Sequence, residues 1–204
     1  MTLPARDLVD VRLSQAFSAG GCPICGVRAR SERALLDSIL ADRVNDIGFR
    51  GTLERTEAFC RRHTRELVVA DRSSSGGILG TSILYGAMLG RRLELLRGGI
   101  GTKGRSLRAR LGLARKRPPC MACAQGASAV STALARSVER ASDPAWASAI
   151  TDAAFCLDDV VALWAAAGDA PSFEPIARRQ LDRLTDPASD SRGSPTIRRR
   201  TGCT

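Results

Sequence analysis

The sequence predicts an all-α protein made of two similar helical halves. Apolar residues recur at helical spacing, strand signals are almost missing, and a four-residue ligand pattern occurs twice. Cys22, Cys25, Cys60 and His63 read C-x2-C…C-x2-H, while Cys120, Cys123, Cys156 and Asp159 read C-x2-C…C-x2-D. The second set trails the first by a nearly constant offset, and the flanking positions follow. Phe59 corresponds to Phe155, Leu67 to Leu163, Leu36 to Leu134 and Leu40 to Val138. Such self-similarity reads as an internal duplication.

In chain order, Leu35, Leu36, Ile39, Leu40, Val44 and Ile47 predict an amphipathic helix over about 32–46, closed by Gly48 and Gly51. Asn45 and Asp46 lie where it should stop and suggest helix termination with an Asx-type turn and Arg50 bonding a carboxylate; the alternative makes Asp42, Asn45, Asp46 and Arg50 a polar surface beside the metal site. A second helix over about 52–70 would carry Cys60 and His63 on one face. A third, about 78–97, has Gly86 and Gly90, which permit close helix approach. The later half repeats the plan with a helix after Cys123, a helical region over 144–164 and a short helix over 173–184; Trp146 and Trp164 are expected in its core. This gives a first metal-binding half over 1–97, a basic linker over 98–119, a second and degenerate half over 120–185, and a frayed tail over 186–204 that contains the odd cysteine, Cys203.

Composition limits the core. Of 204 residues 44% are hydrophobic but only 4% aromatic, so each packed position buries little area. A structural zinc ion, with an apparent binding free energy of about 10–16 kcal/mol, would offset a thin core. Arg6, Asp7, Asp10 and Arg12 interrupt any export-type apolar run, so a cytoplasmic setting with reduced cysteines is expected. No membrane span is expected either, since the uncharged stretch Ser73–Gly90 is rich in serine and glycine and ends in Arg91 and Arg92.

The ligand types point to zinc. Cys22-Pro23-Ile24-Cys25-Gly26 forms a knuckle with two thiolates on a tight turn, and Cys60 with His63 would supply the other two corners of a tetrahedron. Such a shell leaves no position for substrate and is structural. The second set, Cys120, Cys123, Cys156 and Asp159, has Met121 where the first has proline, and a carboxylate in place of the imidazole. It is expected to bind metal less tightly, which gives one or two zinc ions per chain. An iron–sulfur cluster, thiol redox chemistry and simple packing of small thiols are the alternatives.

These residues carry a resemblance. Cys-Pro-Ile-Cys, then Asp42-Arg43-Val44-Asn45-Asp46 with Arg50, then Phe59-Cys60-Arg61-Arg62-His63 resemble an uncharacterised bacterial family of domains of unknown function. Its members carry CPxC, ErVNDxxxR, FCxxH, a second CPxC and GLCxxH in that order. The resemblance implies the roles of Cys22, Cys25, Cys60 and His63, together with Val44, Asn45, Asp46 and Arg50; Met121 and Asp159 depart from it. It implies no activity.

The net charge of +10 raises nucleic acid as a partner. Arg97, Lys103, Arg105, Arg108, Arg110, Arg115, Lys116 and Arg117 form a basic stretch without an acidic residue, and Arg198-Arg199-Arg200 add to it. Against this, the chain's positive charge is almost all arginine, as a high-GC genome gives, and the stretch has no aromatic residue for base stacking. No GxGxxG, P-loop, GxSxG or HExxH pattern occurs, so an enzyme is not expected. The expected function is zinc-dependent structural support for a binding or adaptor role toward a protein partner. A basic nucleic-acid-associated factor and a thiol redox or iron–sulfur sensor are the alternatives.

Overall fold

A computed structural model describes residues 3–56, 59–74, 77–100, 119–168 and 173–185. Among them the fold is all-α, without strands. The helices are α1 (Leu8–Ser18), α2 (Pro23–Ser38, prolonged by a π turn over Ile39–Arg43), α3 (Ile47–Thr56), α4 (Arg61–Arg72), α5 (Leu79–Arg97), α6 (Met121–Arg140), α7 (Pro144–Asp152), α8 (Leu157–Ala167) and α9 (Glu174–Thr185). Most of the basic stretch, Lys103 to Arg117, lies outside the described residues, as do Arg198–Arg200 and Cys203. No helix among the described residues is long and apolar enough to cross a membrane.

The helices form two compact units whose boundaries do not follow the expected order of halves. One, here the terminal unit, joins Met1–Ser31 to Gln125–Thr201; the other, the central unit, is built on Glu32–Ala124. The boundaries fall inside α2 and α6 rather than in the basic stretch.

The terminal unit packs Leu13, Ile24, Trp146, Ile150, Phe155, Leu163, Phe173 and Ile176 into one core. Phe17 stands edge-on to Trp146 and to Phe155, with ring centroids 6.0 and 6.1 Å apart. Trp146 is fully buried and its Nε1 donates to the Pro4 carbonyl at 2.9 Å, which satisfies the ring's one polar atom. Trp164 is 50% exposed, contrary to the core position expected for it, because α8 turns Val160 and Leu163 inward instead. α1, which periodicity did not reveal, starts at Asp7, whose carboxylate accepts from the Val9 and Asp10 amides. α7 starts in the same way at Asp143, with Pro144 in its first turn and a 3.0 Å bond from the Ala145 amide. Asp143→Ala is expected to lower the stability of this unit by about 1 kcal/mol in urea unfolding, with an unchanged m-value.

The central unit packs Leu36, Ile39, Val44, Phe49, Leu53, Phe59, Leu67, Leu84 and Met88. Asp46, three residues past the π turn, caps α3 by accepting from the Phe49 amide at 3.0 Å, so the expected Asx-type turn is a helix cap. Asp71 of α4 caps α5 by accepting from the Thr81 amide at 2.6 Å. Gly80 lets these elements meet: a Cβ there would stand 3.0 Å from Leu40 Cδ2 and 3.2 Å from Asp71 Oδ1.

Two expected helices are broken where the ligands lie. The region over 52–70 splits into α3 and α4, with Cys60 extended (φ −67°, ψ 164°) at the N-cap of α4. The region over 144–164 splits into α7 and α8, with Cys156 extended (φ −74°, ψ 158°) at the N-cap of α8. In both, the phenylalanine before the cysteine is buried, Phe59 in one core and Phe155 in the other. Burying that ring while the next residue caps a helix requires extended backbone, which local periodicity does not signal.

Candidate metal centres

Each C-x2-C pair opens a long helix. Cys22 immediately precedes α2 and Cys25 lies in its first turn; Cys120 and Cys123 stand in the same way at α6. The Cys22 carbonyl accepts from the Gly26 amide at 3.0 Å and the Cys120 carbonyl from the Ala124 amide at 2.9 Å, so the knuckle is the helix start itself. The remaining pairs also open helices. Cys60 caps α4 with His63 in its first turn, and Cys156 caps α8 with Asp159 in its first turn. Their carbonyls accept from the Thr64 amide at 2.8 Å and the Val160 amide at 3.0 Å. All eight candidate ligands therefore sit at helix N-termini, whose partial positive charge stabilises thiolate and carboxylate.

The structure brings these residues together in a crossed arrangement. Cys22 and Cys25 meet Cys156 and Asp159 in the terminal unit; Cys60 and His63 meet Cys120 and Cys123 in the central unit. The sets of four expected from chain order, Cys22 and Cys25 with Cys60 and His63, and Cys120 and Cys123 with Cys156 and Asp159, are not the ones that form. The two clusters take in all eight residues, but each knuckle is met by the C-x2-H or C-x2-D segment of the other sequence pattern. Spacing cannot reveal this, because two knuckles of equal geometry accept either completing pair.

In the central cluster one atom, His63 Nδ1, faces all three sulfurs, at 3.3 Å from Cys60, 3.4 Å from Cys120 and 3.3 Å from Cys123. Cys60 and Cys123 Sγ are 3.8 Å apart. In the terminal cluster Asp159 Oδ2 takes the same place, accepting from Cys22 at 3.1 Å, Cys25 at 3.2 Å and Cys156 at 3.1 Å. Cys25 and Cys156 Sγ are again 3.8 Å apart. Two thiolates at about 2.3 Å from one tetrahedral zinc lie about 3.8 Å from each other, and a nitrogen or oxygen ligand lies about 3.5 Å from each sulfur. Both donor sets fit a single tetrahedral ion. Cys123 is disulfide-bonded in this structure and offers a thiolate only once reduced.

Electrostatics in the terminal cluster favour a cation. Cys22 and Cys25 shift upward, Cys25 to about 12, chiefly because Cys156 beside them holds the negative charge. Cys156 is correspondingly lowered by the thiols of Cys22 and Cys25. Asp159 is raised, first by burial and then by Cys156. Three sulfurs and a carboxylate cannot all be anionic side by side, so a divalent ion binding here displaces protons. In the central cluster burial raises the Cys120 thiol. The two clusters also differ in exposure, for His63 and Cys120 are buried whereas Cys25 is exposed.

Sequence reasoning missed the groups behind His63. Its Nε2 lies 3.3 Å from Glu32 Oε2 and 3.6 Å from Glu66 Oε2. Glu66, three residues on, shares a helix face with His63 and was findable; nothing in the spacing marks Glu32.

Fold and donor sets together define an all-α protein with two candidate metal centres. Over residues 5–88 the chain is similar to a family of unknown function (DUF6062), a stretch that holds Cys22, Cys25, Cys60 and His63 but none of the later ligands. No curated protein and no solved structure matches the chain.

Proposed function

We propose that the reduced chain is a zinc protein with two structural centres, one in each unit, whose ions stiffen small helical cores for a binding or adaptor role. The observation that carries this reading is the repeated geometry, in which one nitrogen or oxygen faces three sulfurs and one sulfur pair of each cluster stands at 3.8 Å, the edge length of a single tetrahedral ion. Four protein ligands complete such an ion's shell and leave no open position for substrate, which favours support over catalysis. Four donors gathered around one point favour zinc over an iron–sulfur cluster, whose protein thiolates are divided among separate irons. The internal duplication belongs to the same reading: in each repeat a C-x2-C helix, a short helix and a cysteine-capped helix follow in that order.

A binding role finds support on α5. Leu89, Leu93 and Leu96 are 58%, 49% and 40% exposed, and Ile100 just beyond is 83% exposed. Their steps of three and four residues make one apolar stripe of the kind that seats a partner's helix.

X-ray absorption at the zinc edge on the reduced, loaded chain tests the centres. The expected first shell, averaged over both ions, is three sulfurs and one nitrogen or oxygen. A shell dominated by oxygen or nitrogen contradicts the assignment. Because Asp159 is a harder donor and Cys25 is exposed, a chelator titration should empty the terminal centre before the central one.

A further inference from the structure

We propose that Glu32 is the positioning residue of the central centre: its buried carboxylate accepts the Nε2 proton of His63 and so presents Nδ1 to the ion held with Cys60, Cys120 and Cys123. The inference rests on the metal reading above and extends it to a residue outside the ligand set.

His63 is fully buried, and its two nitrogens face opposite chemistries. Nδ1 faces three sulfurs, and Nε2 faces Glu32. A neutral imidazole has one ring proton. With Nδ1 bound to a cation that proton is on Nε2, and a buried N–H without an acceptor would be costly. Glu32 is 2% exposed and supplies the acceptor at 3.3 Å, while its other oxygen, Oε1, has no partner of its own. A carboxylate in this place fixes the ring orientation and raises the basicity of the ligating nitrogen.

Two other groups crowd Nε2 without taking the role. Glu66 is farther, at 3.6 Å, and 41% exposed, so water screens it. Arg62 Nη2 donates to Glu32 Oε2 at 2.7 Å and lies 2.8 Å from Nε2, which accepts from it only while the ring proton is on Nδ1; once an ion holds Nδ1, Nε2 carries the proton and Arg62, a donor only, is left bonded to Glu32. It compensates the buried carboxylate. Its fixed charge also argues against a separate ion among Glu32, His63 and Glu66, although their oxygens and nitrogen approach closely enough to hold one.

His63 is the chain's one histidine, so ¹⁵N-labelled imidazole reports this centre alone. The test compares wild type, Glu32→Gln and Glu66→Gln, each reduced and loaded with zinc, following the two ring nitrogens by NMR during titration with a competing chelator. Wild type should show a metal-shifted Nδ1 and a slowly exchanging Nε2 proton. Glu32→Gln should keep Nδ1 on zinc, lower the affinity by about 10–100-fold and speed exchange of that proton, whereas Glu66→Gln should change affinity by less than about twofold. If Glu32→Gln fails to fold, Glu32→Asp, which keeps the charge but withdraws it by one methylene, is expected to move both readouts in the same direction. An unshifted Nδ1 in wild type overturns the metal reading itself. A metal-shifted Nδ1 with the same affinity and proton exchange in wild type and the Glu32 variants overturns the role of Glu32 alone.

Discussion

Cys60→Ser and Cys120→Ser are each expected to remove one zinc ion per chain, and together still only one, whereas Cys60→Ser combined with Cys22→Ser removes both. The reason is the crossed arrangement. Cys60 and Cys120 both face His63 Nδ1, while Cys22 shares Asp159 Oδ2 with Cys25 and Cys156. The cost of losing a centre should be large, because structural zinc contributes about 10–16 kcal/mol of apparent binding free energy in small domains whose net stability is far lower. Removing a second ligand from a site already lost adds little, so thermal melts of the Cys60 and Cys120 pair should be strongly non-additive. Centres built from ligands in chain order give the opposite pattern, with Cys60 coupled to Cys22. Metal counting and melts on these four variants separate the two.

Asp10→Ala is expected to destabilise the terminal unit by about 3–5 kcal/mol, the usual cost of leaving a buried charge unpaired. Asp10 is fully buried and its carboxylate pairs with Arg140, itself 2% exposed, with Arg136 at 3.2 Å and with the Arg6 amide at 2.8 Å. Arg140 also lies over the Trp146 ring, 5.9 Å from its centroid, so the ion pair is seated on the core. The same network sets an acid limit. Burial works to raise the Asp10 pKa, but the bond from Arg140, the Arg6 amide and the charges of Arg140 and Arg136 outweigh it and hold the carboxyl below its ordinary 3.8. A carboxyl depressed on folding contributes its stability fully above its unfolded value, about pH 4, and loses it as pH falls through the lower folded value. Urea midpoints below about pH 4 should therefore drop more steeply for wild type than for Asp10→Ala, in which this titration is gone. Equal slopes would remove Asp10 from the account.

Much of this was legible in the residues, and what was not has definite causes. The all-helical class followed from apolar spacing at Leu35, Leu36, Ile39 and Leu40, and all eight residues of the clusters followed from two repeated patterns. Their partners did not. A repeated pattern shows which ligand types recur, whereas which segment completes which site depends on packing between segments far apart in the chain, such as Phe155 edge-on to Phe17 in a core that also holds Ile24. The helix breaks before Cys60 and Cys156 were hidden for a related reason, since Phe59 and Phe155 continue a helical apolar pattern while their burial demands extended backbone. α1 was missed because its capping signal, Asp7, lies in a charged opening segment that reads as irregular. Glu32 looks like any surface glutamate at the sequence level; only the fold places it behind His63.

Two metal centres are tested by elemental analysis, with an absorption spectrum, of the reduced chain purified without oxygen. Two zinc ions per chain and no visible colour are expected. Iron with visible absorption, or a chain that folds fully without metal, contradicts two structural zinc centres.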